Sequence, residues 1–272
     1  MTVRYIKEFY RFLKHTVQSR QLLVTLIKND FKKQYLGSYL GLVWAFIQPF
    51  TFMLVIWFVF TYGFRSAALA DDTPFFLWLI CGMIPWFFIS NALISGTDAI
   101  TSNSFLVKKV AFRVSILPLV QIGSSLIIHL GLVLFLIVAT LLYGFYPTLY
   151  WIQLPYYIAC AIFFVLGVSW LSASIRVFVK DMSNIVTVLI QIGFWATPIF
   201  WNIEMIPQQY QWILQLNPAY YIVEGFRNSF INEVWFWEMP MLTLYFLAMS
   251  SIFFIVGAIV FKRLRPHFGD VL

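Results

Sequence analysis

Charge is scarce in this 272-residue chain: Asp, Glu, Lys and Arg make up 11% of it, against 61% hydrophobic and 20% aromatic residues. That balance, with a mean hydropathy of +0.84, excludes an ordinary water-soluble domain and reads as an integral membrane protein. Cysteine is nearly absent too. Cys81 and Cys160 each sit inside an apolar run, so neither a disulfide framework nor a Cys-x-x-Cys metal site exists. No Gly-Lys pair occurs anywhere, which removes the Gly-x-x-x-x-Gly-Lys-Ser/Thr phosphate loop and that mode of ATP binding. His15, His129 and His267 stand far apart in no zinc-binding spacing, so no metal site is expected. The N-terminus has no short apolar core followed by a small-residue cleavage site, so no removable signal peptide is expected. The length suits one membrane domain without a soluble ATPase.

What the chain does have is long apolar runs, continuous and rich in Leu, Ile, Phe and Val, which select an all-α helical bundle over a β-barrel. The stretch from Arg20 to Pro49 organises the rest. Up to Tyr39 it is amphipathic, with Leu22, Leu23, Leu26, Ile27, Phe31 and Tyr35 at helical spacing and Lys28, Asn29, Asp30, Lys32 and Lys33 on the other side. After Tyr39 the charges stop. A helix lying on the membrane surface therefore turns into the bilayer, with Lys28, Lys32 and Lys33 at the anionic headgroups. Residues 2–18 form an earlier amphipathic segment of the same kind, so residues 1–37 read as cytoplasmic amphipathic helices and 38–272 as the membrane domain.

Six spans are expected at about 39–62, 75–95, 114–143, 155–176, 184–201 and 241–261. With the N-terminus inside, 2 of the 18 Lys and Arg residues fall outside, Arg65 and Arg227, while Asp71, Asp72, Glu204, Glu224, Glu233 and Glu238 all do. Cytoplasmic loops are enriched in Lys and Arg, so both termini are assigned to the cytoplasm. Two connecting segments stand out. Residues 102–113 mix an apolar core (Phe105, Leu106, Val107, Val110, Phe112) with Lys108, Lys109 and Arg113, and Ser102, Asn103 or Ser104 is placed to cap a short helix there. The pattern fits a docking element for another protein, or positive-inside charge alone. Residues 202–240 are expected outside yet are apolar. Asn217-Pro218 starts a helix there, and short helices dipping back into the outer leaflet compete with an interfacial aromatic loop.

The spans hold almost no ionisable groups, which argues against a proton- or sodium-coupled carrier. His129, near the middle of the third span, is expected to face the bundle and find a hydrogen-bond partner. Aromatic residues crowd the first and fifth spans, among them Tyr39, Trp44, Phe52, Trp57, Phe194 and Trp195. Their faces suit contact with sugar rings or with lipid. Gly37-x-x-x-Gly41 permits a close helix approach.

The runs IKNDFKKQYLGSYLGLVWAFIQP, SNSFLVKKVAFRVSILP, VKD at Val179 to Asp181 and NPAYYIVEGFRNSF resemble the membrane subunits of ABC-2 type polysaccharide exporters over nearly the full length. GFRS at 63–66, PWFFISNALISGTDAIT and the C-terminal RPHFGDVL look most like the wall teichoic acid branch of Gram-positive bacteria. The resemblance implies a homodimeric permease in the bacterial cytoplasmic membrane. It is without catalytic residues or a cofactor of its own, and ATP and Mg are bound by two copies of a separate ATP-binding subunit. Phe105, Leu106, Lys108, Lys109, Val110 and Phe112 become a coupling helix. Residues 202–230, with Tyr220, Tyr221, Phe226 and Arg227, become an outer gate. The cargo it implies is an undecaprenyl-diphosphate-linked polymer whose head group meets Lys28, Lys32 and Lys33. An O-antigen or capsule permease and a drug or haem exporter subunit are alternatives within the resemblance. A non-transporting scaffold and a lipid-modifying enzyme are alternatives outside it.

Overall fold

A computed structural model of the chain describes residues 20–35, 41–63, 73–108 and 113–272. The amphipathic segment 2–18 and Gly37, Tyr39, Arg65, Lys109, Val110 and Phe112 lie outside these. The described residues are helical, in the order α1 (Arg20–Tyr35), α2 (Gly41–Phe58), α3 (Phe75–Asp98), α4 (Leu117–Leu142), α5 (Leu154–Arg176), α6 (Met182–Ala196), α7 (Gln208–Gln215), α8 (Pro218–Arg227) and α9 (Pro240–Leu264). A one-turn helix, Ser104–Val107, interrupts the α3–α4 connection.

Among the described residues, five helical stretches are long and apolar enough to cross a bilayer: Gly41–Gly63, Phe75–Asp98, Val114–Leu142, Leu149–Arg176 and Pro240–Val271. They coincide with five of the six expected spans. The expected fifth span, 184–201, is a helix of 15 residues, α6, about 22 Å long at about 1.5 Å per residue against a hydrocarbon core of about 30 Å. The cause is local. Pro198 follows Thr197, whose φ of −92° and ψ of 133° are extended, the conformation that a residue before proline prefers. The helix stops one residue short of the proline, and 197–201 continue as irregular backbone.

Helix α3 is the hub. Leu77, Leu79, Ile80, Cys81, Met83 and Ile84 are completely buried, and α4, α5, α6 and α8 pack around it. Helices α5 and α9 touch backbone to backbone: a Cβ on Gly167 would lie 2.6 Å from the Phe254 nitrogen, and one on Gly257 2.3 Å from the Gly167 carbonyl oxygen. Small residues drive such contacts in membranes, where lipid removes the hydrophobic incentive for helices to associate. Beyond α9, Phe268 is buried between Phe178 and Phe261, with ring centroids 6.1 and 5.6 Å away.

Helices α2 and α6 stand apart from this core. Just 11% of the apolar window of α2 is buried, and Val186 is the one α6 side chain that is fully buried.

Candidate functional site

One end of the bundle collects the basic residues. There α1 lies against the start of α4. Ile27 seats over Gly123, where a Cβ would come within 2.4 Å of its Cδ1. The Gln121 side-chain amide donates to Asp30 at 2.8 Å, Gln34 donates to Gln121 at 3.2 Å, and Ser124 donates to the Ile27 carbonyl at 3.3 Å. Asp30, the acidic residue of α1, is thus turned toward α4, while Lys28, Lys32 and Lys33 remain exposed on the other side. Ile27, Phe31 and Tyr35 pack inward and the three lysines outward as the amphipathic reading expects, but Asp30, assigned to the polar side, packs against α4 with Ile27, and Leu22, assigned to the apolar side, is 48% exposed. Tyr35, its ring tilted against Phe31 at 5.1 Å, has its phenol pushed above the usual range by burial and then by the Asp30 charge.

At the same end, α3 runs into the loop carrying the expected docking residues. The expected side-chain cap does not form. Ser102 and Thr101 donate back to the Asp98 carbonyl at 2.8 and 3.1 Å, and Asn103 donates to the Ala99 carbonyl at 2.9 Å. These polar side chains satisfy the carbonyls left open at the end of α3 and so do not cap the next helix. In the one-turn helix Phe105 is 59% exposed and Lys108 is exposed, while Leu106 and Val107 are half-buried.

Directly beneath this loop three side chains meet that the sequence holds far apart. Arg176 Nε lies 3.1 Å from Asp98 Oδ1 and 2.6 Å from Ser183 Oγ, and Ser183 Oγ donates to the same Asp98 oxygen at 2.5 Å. The ends of α3 and α5 and the first turn of α6 are tied together at one carboxylate, which also suits the positive end of the α6 dipole.

Along the flank, α2 and α6 meet through Phe52 and Phe194, ring centroids 5.7 Å apart, and Phe194 continues to Trp195 at 5.8 Å and Phe200 at 5.3 Å. Trp57 sits separately on Phe76 at 5.9 Å. Val43, Trp44, Ile47, Leu54, Val55 and Phe58 leave one side of α2 exposed and apolar, and Ile185, Val188, Leu189, Ile192 and Trp195 do the same on α6. Neither carries a charged residue.

At the opposite end the chain folds back on itself. Asn217 caps α8 through the Ala219 amide at 3.0 Å, and Pro218 supplies the first turn, as the Asn-Pro pair indicates. Helix α7 is largely exposed. Helix α8 is enclosed, with Tyr220, Tyr221, Phe226 and Arg227 all buried. Tyr221 shares its hydroxyl with Tyr156 at 2.8 Å and Thr243 at 3.1 Å. Phe226 reaches His129 at 5.7 Å, and His129 lies at the middle of α4. A short helix entering from one end therefore penetrates halfway down the bundle, packed against protein, and not as a surface loop. The His129 ring rests between Phe88 and Phe226. Its Nδ1 has no hydrogen-bond partner, but the ring does bond to the Ile84 backbone, so the expected partner is present.

Arg227, counted among the charges on the outer side, is 2% exposed. Its guanidinium lies 3.5 Å over the Trp78 ring, donates to the Ile199 carbonyl at 2.9 Å and pairs with Glu224 at 3.3 Å. Gly82 leaves room for it, because a Cβ there would stand 2.9 Å from its Nη2. Asn217 also donates to Thr197 Oγ1 at 2.7 Å. Two side chains of the folded-back hairpin thus hold the irregular backbone after α6. Non-helical backbone is tolerated at membrane depth when protein groups satisfy it in this way.

Residues 21–231 match the family described as ABC-2 type transporter. Among curated proteins, an O-antigen export system permease protein RfbA of Klebsiella pneumoniae is 28% identical over 252 residues, covering 92% of this chain and 95% of that protein. An O-antigen export system permease protein RfbA of Myxococcus xanthus is 26% identical over 270 residues, covering 98% and 99%.

Proposed function

The chain belongs to the ABC-2 type transporter family, and on that premise we propose that it is the permease of a polysaccharide exporter, working as a pair of identical subunits driven by a separate ATP-binding subunit. The bare faces of α2 and α6 carry this reading. A helix with 11% of its apolar window covered has most of its surface left for lipid or for a second copy. The aromatic cluster Phe52, Phe194, Trp195 sits where two such faces would meet. Aromatic rings at that seam give a growing or sliding chain many modest, non-directional contacts.

The basic end faces the cytoplasm in this reading, since it holds the Lys and Arg of α1, of the 98–113 loop and of the end of α9. Phe105, exposed on its one-turn helix, docks on the ATP-binding subunit, together with Leu106, Lys108, Lys109, Val110 and Phe112 of the same segment. Lys28, Lys32 and Lys33 meet a lipid diphosphate, taken to be the undecaprenyl-linked end of the polymer, through charge-assisted hydrogen bonds. The α7–α8 hairpin, with Tyr220, Tyr221, Phe226 and Arg227, forms the outer gate.

For the polymer, an O-antigen-type polysaccharide is preferred to wall teichoic acid. The matched relatives are named as O-antigen permeases, and the bare faces of α2 and α6 have no Lys or Arg to compensate a polyanion. The test is ATP hydrolysis by the reconstituted permease with its co-expressed ATP-binding subunit, with and without an undecaprenyl-diphosphate-linked polysaccharide. Stimulation by the polymer, lost in Phe105→Ala, is the expected result. Failure of any ATP-binding subunit to co-purify, or indifference to the polymer, refutes the proposal.

A further inference from the structure

Helix α6 is held in an unusual way. Along its length it is attached by apolar contacts: Gly193 lies close under Trp86, where a Cβ would stand 2.9 Å from the ring, Phe194 touches Phe52 and Trp86, and Val186 is buried. At its two ends it is attached by directional polar bonds. The first turn is tied through Ser183 to Asp98 and Arg176. The backbone after its last turn is tied through Thr197 to Asn217 and through the Ile199 carbonyl to Arg227. Apolar contacts are non-directional and let a helix slide or tilt, whereas hydrogen bonds weaken steeply when misaligned. A rod of this design moves with whatever its ends are bonded to.

The partners at the two ends belong to different working parts. Asp98 is the last residue of α3, and its carbonyl also accepts from Ser102 and Thr101 of the loop that carries Phe105. Asn217 and Arg227 belong to the hairpin at the opposite end. We propose that α6 is a strut between the loop and the hairpin. Asp98, Arg176 and Ser183 are positioning residues through which displacement of the loop enters the helix, and Asn217 and Arg227 are those through which it reaches the irregular segment 197–201. This rests on the reading of the chain as an ATP-driven permease, because that reading supplies the force on the loop.

The experiment is amide hydrogen exchange of residues 197–201 in the complete complex with its ATP-binding subunit in nanodiscs, comparing the ADP state with a state trapped on ATP by a hydrolysis-deficient ATP-binding subunit. In the native chain, trapping should change exchange in this segment by about tenfold. In Ser183→Ala the change should fall below about twofold while the complex still assembles and a hydrolysis-competent version still hydrolyses ATP. Ser183→Thr, which keeps the hydroxyl, should restore the response. A native-sized response in Ser183→Ala overturns the proposal, as does a native complex that hydrolyses ATP without any response at 197–201. Equal loss in the Ala and Thr variants also overturns it, since packing and not the hydroxyl would then be responsible. If the native chain binds no ATP-binding subunit at all, the permease reading fails instead.

Discussion

Arg227 offers the sharpest energetic test of the fold. Its guanidinium is enclosed against Trp78, with bonds to the Ile199 carbonyl and to Glu224, and its Nε has no partner. Arg227→Ala removes a charge-assisted bond worth about 1.5–3 kcal/mol and a desolvated cation–π contact of about 2 kcal/mol. It also leaves the Ile199 carbonyl and Glu224 without their donor. Relief of the buried charge offsets part of this, and breaking a buried pair by removing one partner costs about 3–5 kcal/mol. For a chain of this size that is a drop of roughly 10 °C in the thermal midpoint, at about 2–4 °C per kcal/mol. Arg227→Met, which fills the same space without a charge to desolvate, should lose about half as much. The assay is tryptophan-monitored melting of the purified protein at one fixed scan rate. Gly82→Ala makes the test geometric: its Cβ would stand 2.9 Å from Arg227 Nη2 and 3.1 Å from the Ile199 oxygen, costing about 1–3 kcal/mol by overpacking. Combined with Arg227→Met it should cost less than the sum, with a coupling of at least about 0.5 kcal/mol. Strict additivity, or an Arg227→Ala midpoint within 2 °C (roughly) of native, would refute the enclosed position of the guanidinium.

Other parts of the structure give further expectations. Replacing Gly257 by Leu forces a side chain into the α5 backbone, and the folded yield in detergent should collapse, whereas Ala at the exposed Leu247 should leave it unchanged. Changing Lys28, Lys32 and Lys33 together to Gln should move the melting midpoint by less than the equivalent of about 0.5 kcal/mol, as for other exposed substitutions. Polymer-stimulated ATP hydrolysis should nevertheless fall, and an unchanged stimulation would remove these lysines from lipid recognition. Gln121→Leu removes the bond that α4 makes to Asp30 and leaves that carboxylate only Gln34 of its own helix, so α1 should loosen from α4 and limited proteolysis should cut within 20–35 before the spans are attacked. Asp98→Asn weakens a half-exposed ion pair worth about 0–1 kcal/mol, so export should drop far more than stability. Parallel losses in both would assign that cluster to folding alone.

The spans were legible because a bilayer makes a strong, one-dimensional demand: some twenty apolar residues in a row leave little choice of structure. Local chemistry was legible as well. Asn217-Pro218 read as a helix start and is one, whereas the fifth span was carried through Pro198 to 201 and the helix stops at Ala196. What the sequence hid were contacts between positions remote along the chain. Asp98, Arg176 and Ser183 look like ordinary loop-end residues until three helix ends are brought together. Gly167 and Gly257 are single glycines in two different runs, with no pattern in either to announce their pairing, while the visible Gly37-x-x-x-Gly41 lies partly beyond the described residues. The burial of Arg227 was hidden because positive-inside counting sees the side of a charge and not its enclosure. A signal was available in α8 itself, where Tyr220, Tyr221, Ile222, Val223 and Phe226 place apolar side chains around most of the helix. That pattern marks an element covered on nearly every side.

The short α6 and the buried arginine explain each other. A helix that ended in hydrocarbon would leave its last carbonyls unsatisfied, at a cost of several kcal/mol for each group. The early stop at Thr197 is tolerable because the hairpin brings donors to the break, Asn217 to the Thr197 hydroxyl and Arg227 to the Ile199 carbonyl. Those same donors make 197–201 a stretch whose irregular backbone is held by side chains and not by a helical ladder. Rearranging it exchanges a few side-chain bonds, while moving any other part of a span means breaking consecutive helical hydrogen bonds. The cheapest place for the bundle to change shape is therefore next to the aromatic cluster of Phe194, Trp195 and Phe200, at the end of α6 where the hairpin holds it.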